Sequence, residues 1–208
     1  MGEIIALVDY GAGNLHSVEN ALRKVGANVK VTADPDVLRA ADRIVLPGVG
    51  SFGACAAGLR AEAGVIEAMQ ERVFVGGAPF LGICVGMQLL ATRGLEHGET
   101  DGLDWIAGEV RLIEPTDSSV KVPHMGWNDV ALAPHAKDHW VVEGGEAYFL
   151  HSYHFDAVSG KDVLAMTDHG GGLVAAVGRD NLLGVQFHPE KSQTYGLSLL
   201  QNFLEWRP

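Results

Sequence analysis

The segment around Cys84 constrains the fold of this chain most strongly. It reads Pro79-Phe-Leu-Gly-Ile-Cys-Val-Gly-Met-Gln-Leu-Leu90, an apolar run followed by a helix-like run. The G-x-C-x-G pattern is typical of a strand that turns directly into a helix, because a strained corner residue needs neighbours without a Cβ. A thiol at this corner is expected to be exposed at a helix N-terminus, where unpaired amides and the helix dipole favour the thiolate. We therefore predict a reactive cysteine on a nucleophile elbow; the alternative is a buried, inert Cys beside packing glycines.

Composition limits the classes of protein to which the chain can belong. Its 208 residues, 47% of them hydrophobic, can bury one substantial core, so we expect a single domain over residues 1–208. The net charge of −11 argues against a nucleic-acid surface, which needs clustered Lys and Arg. The acidic opening residues do not resemble a signal peptide, and no apolar run reaches ~18 residues. We therefore expect a cytoplasmic protein with no membrane segment, whose two cysteines, Cys55 and Cys84, form no disulfide framework.

Hydrophobic patterning predicts an α/β fold. In the first half, strands at 4–8, 28–32, 43–46 and 79–83 alternate with helices at 15–25 and 54–70. This alternation favours a mostly parallel sheet flanked by helices, with ligands at the carboxyl ends of the strands. Beyond about residue 105 we expect an added region of shorter, antiparallel strands. Its clearest runs are 148–150, 163–166, 173–177 and 182–187, and a helix at 192–206 follows them.

A thiolate nucleophile needs a base, and the base needs a group that orients it. Phe187-His-Pro-Glu-Lys191 offers both, because His188 and Glu190 stand two residues apart after an apolar strand. This spacing puts the two side chains on the same side of an extended segment. Taken alone, the pair is more typical of a surface ion pair, since ionisable residues are mostly exposed. It gains meaning only together with Cys84.

Attack on a carboxamide also requires N–H donors where the oxyanion forms. Leu46-Pro-Gly-Val-Gly-Ser-Phe52 follows a predicted strand and offers the backbone of Gly48, Val49 and Gly50. The amide of Val85, next to the nucleophile, is a further candidate. An ordinary glycine turn is the alternative interpretation of this loop.

Two other patterns lead away from cofactors. Asp9-Tyr-Gly-Ala-Gly-Asn14 follows the first strand, but a dinucleotide fingerprint would need a third glycine where His16 stands. We interpret it as a loop with Asn14 as the cap of the next helix, open to an anion or a partner. His135, His139, His151 and His154 are candidate metal ligands, but no Cys or carboxylate accompanies them at zinc-like spacing, so we expect no metal and no cofactor.

These segments together resemble a known family. The Cys in G-x-C-x-G and the late His-x-Glu resemble the class I glutamine amidotransferases, nearly end to end. Within that superfamily the chain looks most like the glutaminase subunits of imidazole glycerol phosphate synthases. The match rests on Asp9–Leu15, Leu46–Gly50, Pro123-His-Met-Gly-Trp-Asn128 and Phe187–Ser192, and on Phe149-Leu-His-Ser-Tyr153. The resemblance implies a flavodoxin-like α/β fold.

The resemblance also implies roles for individual residues. Cys84 attacks the side-chain amide of glutamine, His188 transfers protons and Glu190 orients His188, with a glutamyl thioester as intermediate. The oxyanion hole is formed by the backbone at Gly48, Val49, Gly50 and Val85, after a peptide reorients when the partner is loaded. Glutamine is held by Gly50, Gln88, Glu96, Ser152 and Tyr153.

The partner implied by the resemblance is a (β/α)₈-barrel cyclase subunit, joined in a heterodimer. It uses the ammonia to form imidazole glycerol phosphate and an aminoimidazole carboxamide ribonucleotide in histidine biosynthesis. Candidate interface residues are Asn14, Trp127, Asn128, Tyr148 and Lys191; local packing is their alternative role, and for Trp127 in particular a position in the core. Two alternatives for the whole chain stay open, a glutaminase of another pathway and a redox-sensing thiol protein. The loops at 94–98 and 135–139 match no motif.

Overall fold

Two β-sheets, one of nine strands and one of four, organise the described part of the chain; the computed structural model describes residues 2–137 and 139–208. The strands are β1 (Ile4–Val8), β2 (Asn28–Thr32), β3 (Arg43–Gly48), β4 (Phe80–Cys84), β5 (Arg93–Gly94), β6 (Thr100–Asp101), β7 (Gly108–Leu112), β8 (His124–Leu132), β9 (Gly145–His151), β10 (Tyr153–Ala157), β11 (Val163–Asp168), β12 (Gly172–Arg179) and β13 (Leu182–Val185). The helices are α1 (Leu15–Lys24), α2 (Pro35–Ala40), α3 (Phe52–Ala61), α4 (Val65–Gln70), α5 (Val85–Gln88) and α6 (Gln193–Glu205).

The parallel half of the large sheet has the order β2-β1-β3-β4-β13. Strands β3, β4 and β13 are buried along their whole length, as expected where helices cover both faces. The order corresponds to that of flavodoxin-like sheets, in which ligands bind beyond the carboxyl ends of the strands. The predicted α/β fold class is confirmed.

The antiparallel half continues the same sheet as β12-β11-β8-β9. A second sheet, β10-β7-β5-β6, is mainly antiparallel, with one parallel pairing between β5 and β7. The antiparallel region predicted beyond residue 105 is thus present, but the run at 182–187, which was expected to belong to it, forms β13 and pairs in parallel with β4. Many strands that are neighbours in the antiparallel region are distant in sequence, so local sequence patterns could not predict their order.

One predicted helix is wrong. The alanine-rich stretch at 54–70 forms two helices, α3 and α4, because Gly64 between them has φ +77° and begins α4 from a left-handed conformation. Ser51 caps α3, with its Oγ accepting from the N–H of Ala54 at 3.3 Å. A π-helical turn, Glu71–Val75, then follows α4. The helix that follows Cys84 is short, since α5 ends at Gln88.

The carboxyl ends of the parallel strands bring distant segments to one edge of the sheet. The loop after β1 carries Asn14, the loop after β3 carries Gly50, β4 ends at Cys84, and the segment after β13 carries His188. In the part of the chain that the structure describes, no helix is both long and apolar enough to cross a membrane.

Candidate active site

Cys84 occupies the strained corner that the sequence predicts. Its φ is 54° and its ψ is −112°, between β4 and α5. A Cβ on Gly82 would lie 2.6 Å from the carbonyl oxygen of Gly86, and a Cβ on Gly86 would overlap the carbonyl oxygen of Leu46. The two glycines are therefore required by close backbone approach. The thiol is only 3% exposed, so the predicted exposed sulfur is instead a buried one that lines a pocket.

His188 and Glu190 contact each other directly. The Nδ1–H of His188 donates to Oε1 of Glu190 at 2.8 Å, and both side chains are almost fully buried. The extended segment expected between them is wrong, because Pro189–Lys191 form a 3₁₀ turn. The turn is anchored at Ser192, whose hydroxyl donates to the carbonyl of His188 at 2.7 Å.

The electrostatics of His188 are dominated by its two neighbours. Burial lowers the pKa of the imidazole, but Cys84 and Glu190 together outweigh burial and raise this pKa to about 9. The imidazole therefore carries a proton at neutral pH. This places a proton donor and a positive charge directly beside the sulfur of Cys84.

Asn14 has a different role from the one that the sequence suggests. It precedes α1 in a left-handed conformation, φ 71°, and makes no side-chain capping bond. Its Nδ2 instead donates to Oε1 of Glu190 at 2.6 Å. Glu190 Oε1 thus accepts from both His188 and Asn14. Oε2 of Glu190 is buried and has no hydrogen-bond partner among the described residues.

A pocket of about 530 Å³ brings most of the predicted site residues together. The predicted residues that line it are Asn14, Val49, Gly50, Cys84, Val85, Gln88, Glu96, Ser152, Tyr153, His188 and Lys191. Gly48, Glu190, Trp127, Asn128 and Tyr148 do not line it. The sequence did not single out Pro123 and Leu150 as pocket residues, and it considered His151 only as a metal ligand.

Gln88 is a buried side chain that holds two parts of the site. Its Nε2 donates to the carbonyl of Tyr153 at 2.9 Å and to Oε1 of Gln186 at 3.0 Å. Gln186 in turn directs its Nε2 toward the Sγ of Cys84 at 3.7 Å. Sequence reasoning missed Gln186, although a glutamine within the apolar run before His188 is a detectable signal.

The end of β3 and the loop that follows it are held by two further residues that sequence reasoning missed. The hydroxyl of Tyr10 donates to the carbonyl of Pro47 at 2.6 Å, and the thiol of Cys55 donates to the carbonyl of Val49 at 3.3 Å. Burial raises the pKa of both groups, so both stay protonated donors at neutral pH.

Glu96 connects its loop to the start of α3. Its Oε2 accepts from the N–H of Phe52 at 2.7 Å, while the side chain lines the pocket.

Comparison with known proteins decides the family. The model for glutamine amidotransferase class-I matches residues 6–206. The imidazole glycerol phosphate synthase subunit HisH of Caulobacter vibrioides is 54% identical to this chain, and the alignment covers 99% of this chain and 100% of the relative. The HisH subunit of Zymomonas mobilis subsp. mobilis is 55% identical, and the alignment covers 98% of this chain and 96% of the relative. The chain belongs to the class I glutamine amidotransferases.

This amidotransferase is of the HisH type, as its full-length relatives show. A crystal structure of a glutamine amidotransferase has a TM-score of 0.74 to it at 21% identity, with 98% of each chain covered, which supports the fold. The resemblance inferred from the motifs is therefore confirmed, and so is the enzyme class.

The interface candidates of the amidotransferase separate into two groups. Trp127 is 44% exposed, so its alternative role in the core is wrong. Its ring meets that of Tyr148 edge-on at 6.2 Å, and the Nζ of Lys191 lies 5.9 Å from the Tyr148 ring centre. Asn128 instead turns toward His124, at 3.0 Å, and Asn14 faces Glu190. Among the described residues, no group of three His, Cys, Asp or Glu side chains is arranged to hold a metal ion.

Proposed function

We propose that this amidotransferase hydrolyses glutamine to glutamate and ammonia with Cys84, His188 and Glu190 as a catalytic triad. One observation carries the proposal: the strained Cys84 and His188, which is held from behind by Glu190, line a single pocket large enough for an amino acid. We also propose that residues 1–208 act as one glutaminase domain, without a cofactor, in the cytoplasm.

The reaction follows from the charges of the three groups. The Cys84 thiolate adds to the carboxamide carbon, forming an S–C bond and a tetrahedral oxyanion. As this intermediate collapses, the C–N bond breaks and the His188 imidazolium protonates the departing nitrogen, which leaves as ammonia. Neutral His188 then takes a proton from water, whose oxygen attacks the thioester; the C–S bond breaks, which releases glutamate and restores the Cys84 thiolate and the His188 imidazolium. Glu190 and Asn14 keep the imidazole in one orientation throughout.

The oxyanion is stabilised by backbone N–H groups at Val85 and along Gly48, Val49 and Gly50. The carbonyl of Val49 points to Cys55, which leaves the Gly50 N–H on the opposite edge of the same planar peptide. Gly50 lines the pocket, so this N–H is suited to donation. Gly48 still pairs with Cys84 at the end of β3, and donation from this part of the loop requires a peptide to reorient.

The substrate's backbone groups are assigned by charge. Glu96 supplies the carboxylate for the α-ammonium, and the Oε1 of Gln88 adds an acceptor for the same group. The carbonyl of Ser152 accepts from the N–H of Ile113 at 2.9 Å, and that of Tyr153 accepts from Gln88. Since both carbonyls are occupied, the donors of this segment remain for the α-carboxylate.

Ammonia gives the physical reason for a partner, because in bulk water at neutral pH it becomes ammonium and loses its nucleophilicity. We propose that this chain forms a heterodimer with the cyclase subunit of imidazole glycerol phosphate synthase and delivers ammonia to it for histidine biosynthesis. An exposed docking face supports this proposal; it consists of Met125, Trp127, Tyr148, Leu150 and Lys191. Met125 pairs with Leu150 and Trp127 with Tyr148 across β8 and β9, so the four side chains share one surface. Tryptophan and methionine are enriched at protein interfaces, and Leu150 and Lys191 also line the pocket.

Glutamate release by the purified chain tests the proposal. We expect weak release alone, strong release after addition of the cyclase subunit with a substrate analogue bound, and none from the Cys84→Ala variant. A glutamine-like electrophile should modify Cys84 and spare Cys55, the second buried cysteine, which serves as the internal control.

The alternatives give different results. If the cyclase does not change the rate of glutamate release, the triad is retained but the chain is a glutaminase of another pathway. Oxidation of Cys84 without any acylation supports the redox-sensing alternative. Absence of both glutamate and acyl-enzyme overturns the catalytic assignment.

A further inference from the structure

A chain of hydrogen bonds runs from the pocket rim into the antiparallel half of the sheet. The Nδ1 of His151 lies 2.9 Å from the carbonyl oxygen of Tyr153, and the Nε2 of His151 lies 3.0 Å from the Nδ1 of His124. The Nε2 of His124 lies 3.0 Å from the Nδ2 of Asn128, which also donates to the carbonyl of Asp168 at 2.7 Å. The two histidines face each other across β8 and β9.

Chemistry assigns every proton in this chain. The carbonyl of Tyr153 can only accept, so His151 carries its proton on Nδ1 and its Nε2 must accept from His124. His124 therefore also carries its proton on Nδ1, and its Nε2 accepts from the amide of Asn128.

The Asn128 end of this series of hydrogen bonds independently requires the same proton positions. The Oδ1 of Asn128 accepts from the N–H of Asp129 at 2.9 Å, which turns the NH₂ group toward His124 and Asp168. Both ends thus require the same direction of donation. A second proton on either ring would set two donors against each other and break at least one contact.

The surroundings keep both rings neutral and fixed. His124 is buried and stacks between Phe149, at 4.6 Å, and His169, at 4.2 Å. Burial, with the nearby His169, lowers the pKa of His124 to about 4.

His151 has a stronger preference for the neutral form. Burial, together with the neighbouring His124, His154 and His169, lowers its pKa to about 3, although the contact with the Tyr153 carbonyl acts in the opposite direction. At His154, the charge of Arg111 lowers the pKa of the ring and the charge of Asp156 raises it.

We propose that His124 and His151 are positioning residues for glutamine binding, forming a one-directional relay that holds the Tyr153 carbonyl and the pocket rim in a single orientation. This inference rests on the proposed glutaminase function. The Tyr153 carbonyl also accepts from Gln88, so the relay and Gln88 together fix the rim segment from two sides. The relay begins beside Asn128, one residue from Trp127 on the docking face, and so connects this face to the rim.

Nitrogen-15 NMR of the histidine rings tests the relay directly and needs no enzymatic activity. We expect His124 and His151 to be neutral, with the proton on Nδ1, from pH 7 down to pH 5. A proton on the Nε2 of His151, or a charged ring at pH 7, overturns the relay.

Two variants of His124 test the positioning role. The Nδ2 of asparagine can take the place of the imidazole Nδ1 as donor to His151, whereas leucine removes the donor. We expect His124→Leu to raise the KM for glutamine about tenfold with little change in kcat, the equivalent of one lost hydrogen bond of ~1.4 kcal/mol. His124→Asn should retain most of the wild-type KM. His169→Leu is the matched control, because His169 stacks on His124 but stands outside the relay.

An equal KM in all three variants overturns the positioning role. If the wild-type chain releases no glutamate even with the cyclase, the glutaminase function fails, and hydrogen exchange at the His154 amide decides the relay instead. This amide shares a peptide with the Tyr153 carbonyl. It should exchange faster in His124→Leu than in His124→Asn, and equal rates contradict the relay.

Discussion

At Cys84, strain and charge coincide in one residue. A positive φ on a non-glycine residue costs of order 1–3 kcal/mol and persists only where the surroundings impose it. Here the imposing contacts are the close approaches of Gly82 and Gly86 to neighbouring backbone. The sulfur they present faces a histidine that carries a proton at neutral pH. Backbone strain and a cationic neighbour thus act on the same atom, the Sγ of Cys84.

The charge on His188 depends on Glu190 and Cys84. We expect Glu190→Gln to lower the pKa of His188 from about 9 toward the ordinary value near 6.5, because it removes a carboxylate that accepts from Nδ1. Cys84→Ala should move it in the same direction. An NMR titration of the imidazole measures both, with the exposed His16 as internal control. A pKa unchanged in both variants contradicts the assigned cause.

The same shift affects stability at high pH. The folded pKa of His188 lies above its unfolded value of about 6.5, so its contribution to stability is complete below pH 6.5 and is lost as pH rises through 9. We expect the free energy of unfolding of the wild-type chain to fall over this window, and to fall less in Glu190→Gln. Urea unfolding at pH 6 and pH 9 measures this difference. An equal loss of unfolding free energy in the two proteins would reject the assigned role of Glu190.

Among the elements, the strand-to-helix turn between β4 and α5 tolerates the least change. A methyl group at Gly86 would overlap the carbonyl of Leu46 on β3, so α5 could not keep its packing against β3. We expect Gly86→Ala to cost about 3 kcal/mol of stability and to abolish glutamate release.

Gly160→Ala is the matched control for this substitution, since its Cβ would meet nothing within 4 Å and its φ is not positive. Thermal unfolding of the two variants gives the difference. Equal melting temperatures would show that the turn is less constrained than the close approach indicates.

The β8–β9 pair adds a weakness in acid. The folded pKa values of His124 and His151, about 4 and about 3, lie below the unfolded value near 6.5, so the unfolded chain binds more protons in this range. Their contribution is complete above pH 6.5 and is lost as pH falls toward 4. We expect a smaller loss in His124→Asn, measured by urea unfolding at pH 7 and pH 4.5. Identical losses in variant and wild type contradict the burial of two neutral rings.

For the molecule as a whole, the docking face and the pocket lie next to each other. Leu150 and Lys191 belong to both, so a partner seated on this face would close the pocket from solvent. We expect Trp127→Ala to weaken binding of the cyclase subunit by about tenfold or more, since exposed tryptophans at interface centres are frequent hot spots.

The melting temperature of Trp127→Ala should stay close to that of the wild type. Trp140→Ala is the control, because Trp140 is also exposed but lies beside Trp206 and Asn181 at another pocket. Calorimetric titration of each variant with the cyclase measures the effect. Equal weakening by both substitutions would remove the docking face from consideration.

Local sequence patterns predicted much of the fold and of the candidate site. The alternation of apolar runs predicted the first four strands of the parallel half, and the G-x-C-x-G pattern predicted the turn at Cys84, because both depend on neighbours within a few residues. The motifs at Pro123–Asn128 and Phe187–Ser192 identified the family. The prediction was wrong where a single residue changed the geometry, as Gly64 did within 54–70 and Pro189 did after His188.

Contacts between distant segments were decided only by the tertiary structure. β13 pairs with β4, and this pairing brings Gln186 to Cys84. The arrangement of loops at the same sheet edge brings Asn14 to Glu190. The His124–His151 contact likewise depends on the register of β8 against β9. Strand order and register are set by the packing of the whole core, so a pattern read along the chain identifies the reactive residues, while only the assembled sheet determines which polar groups hold them.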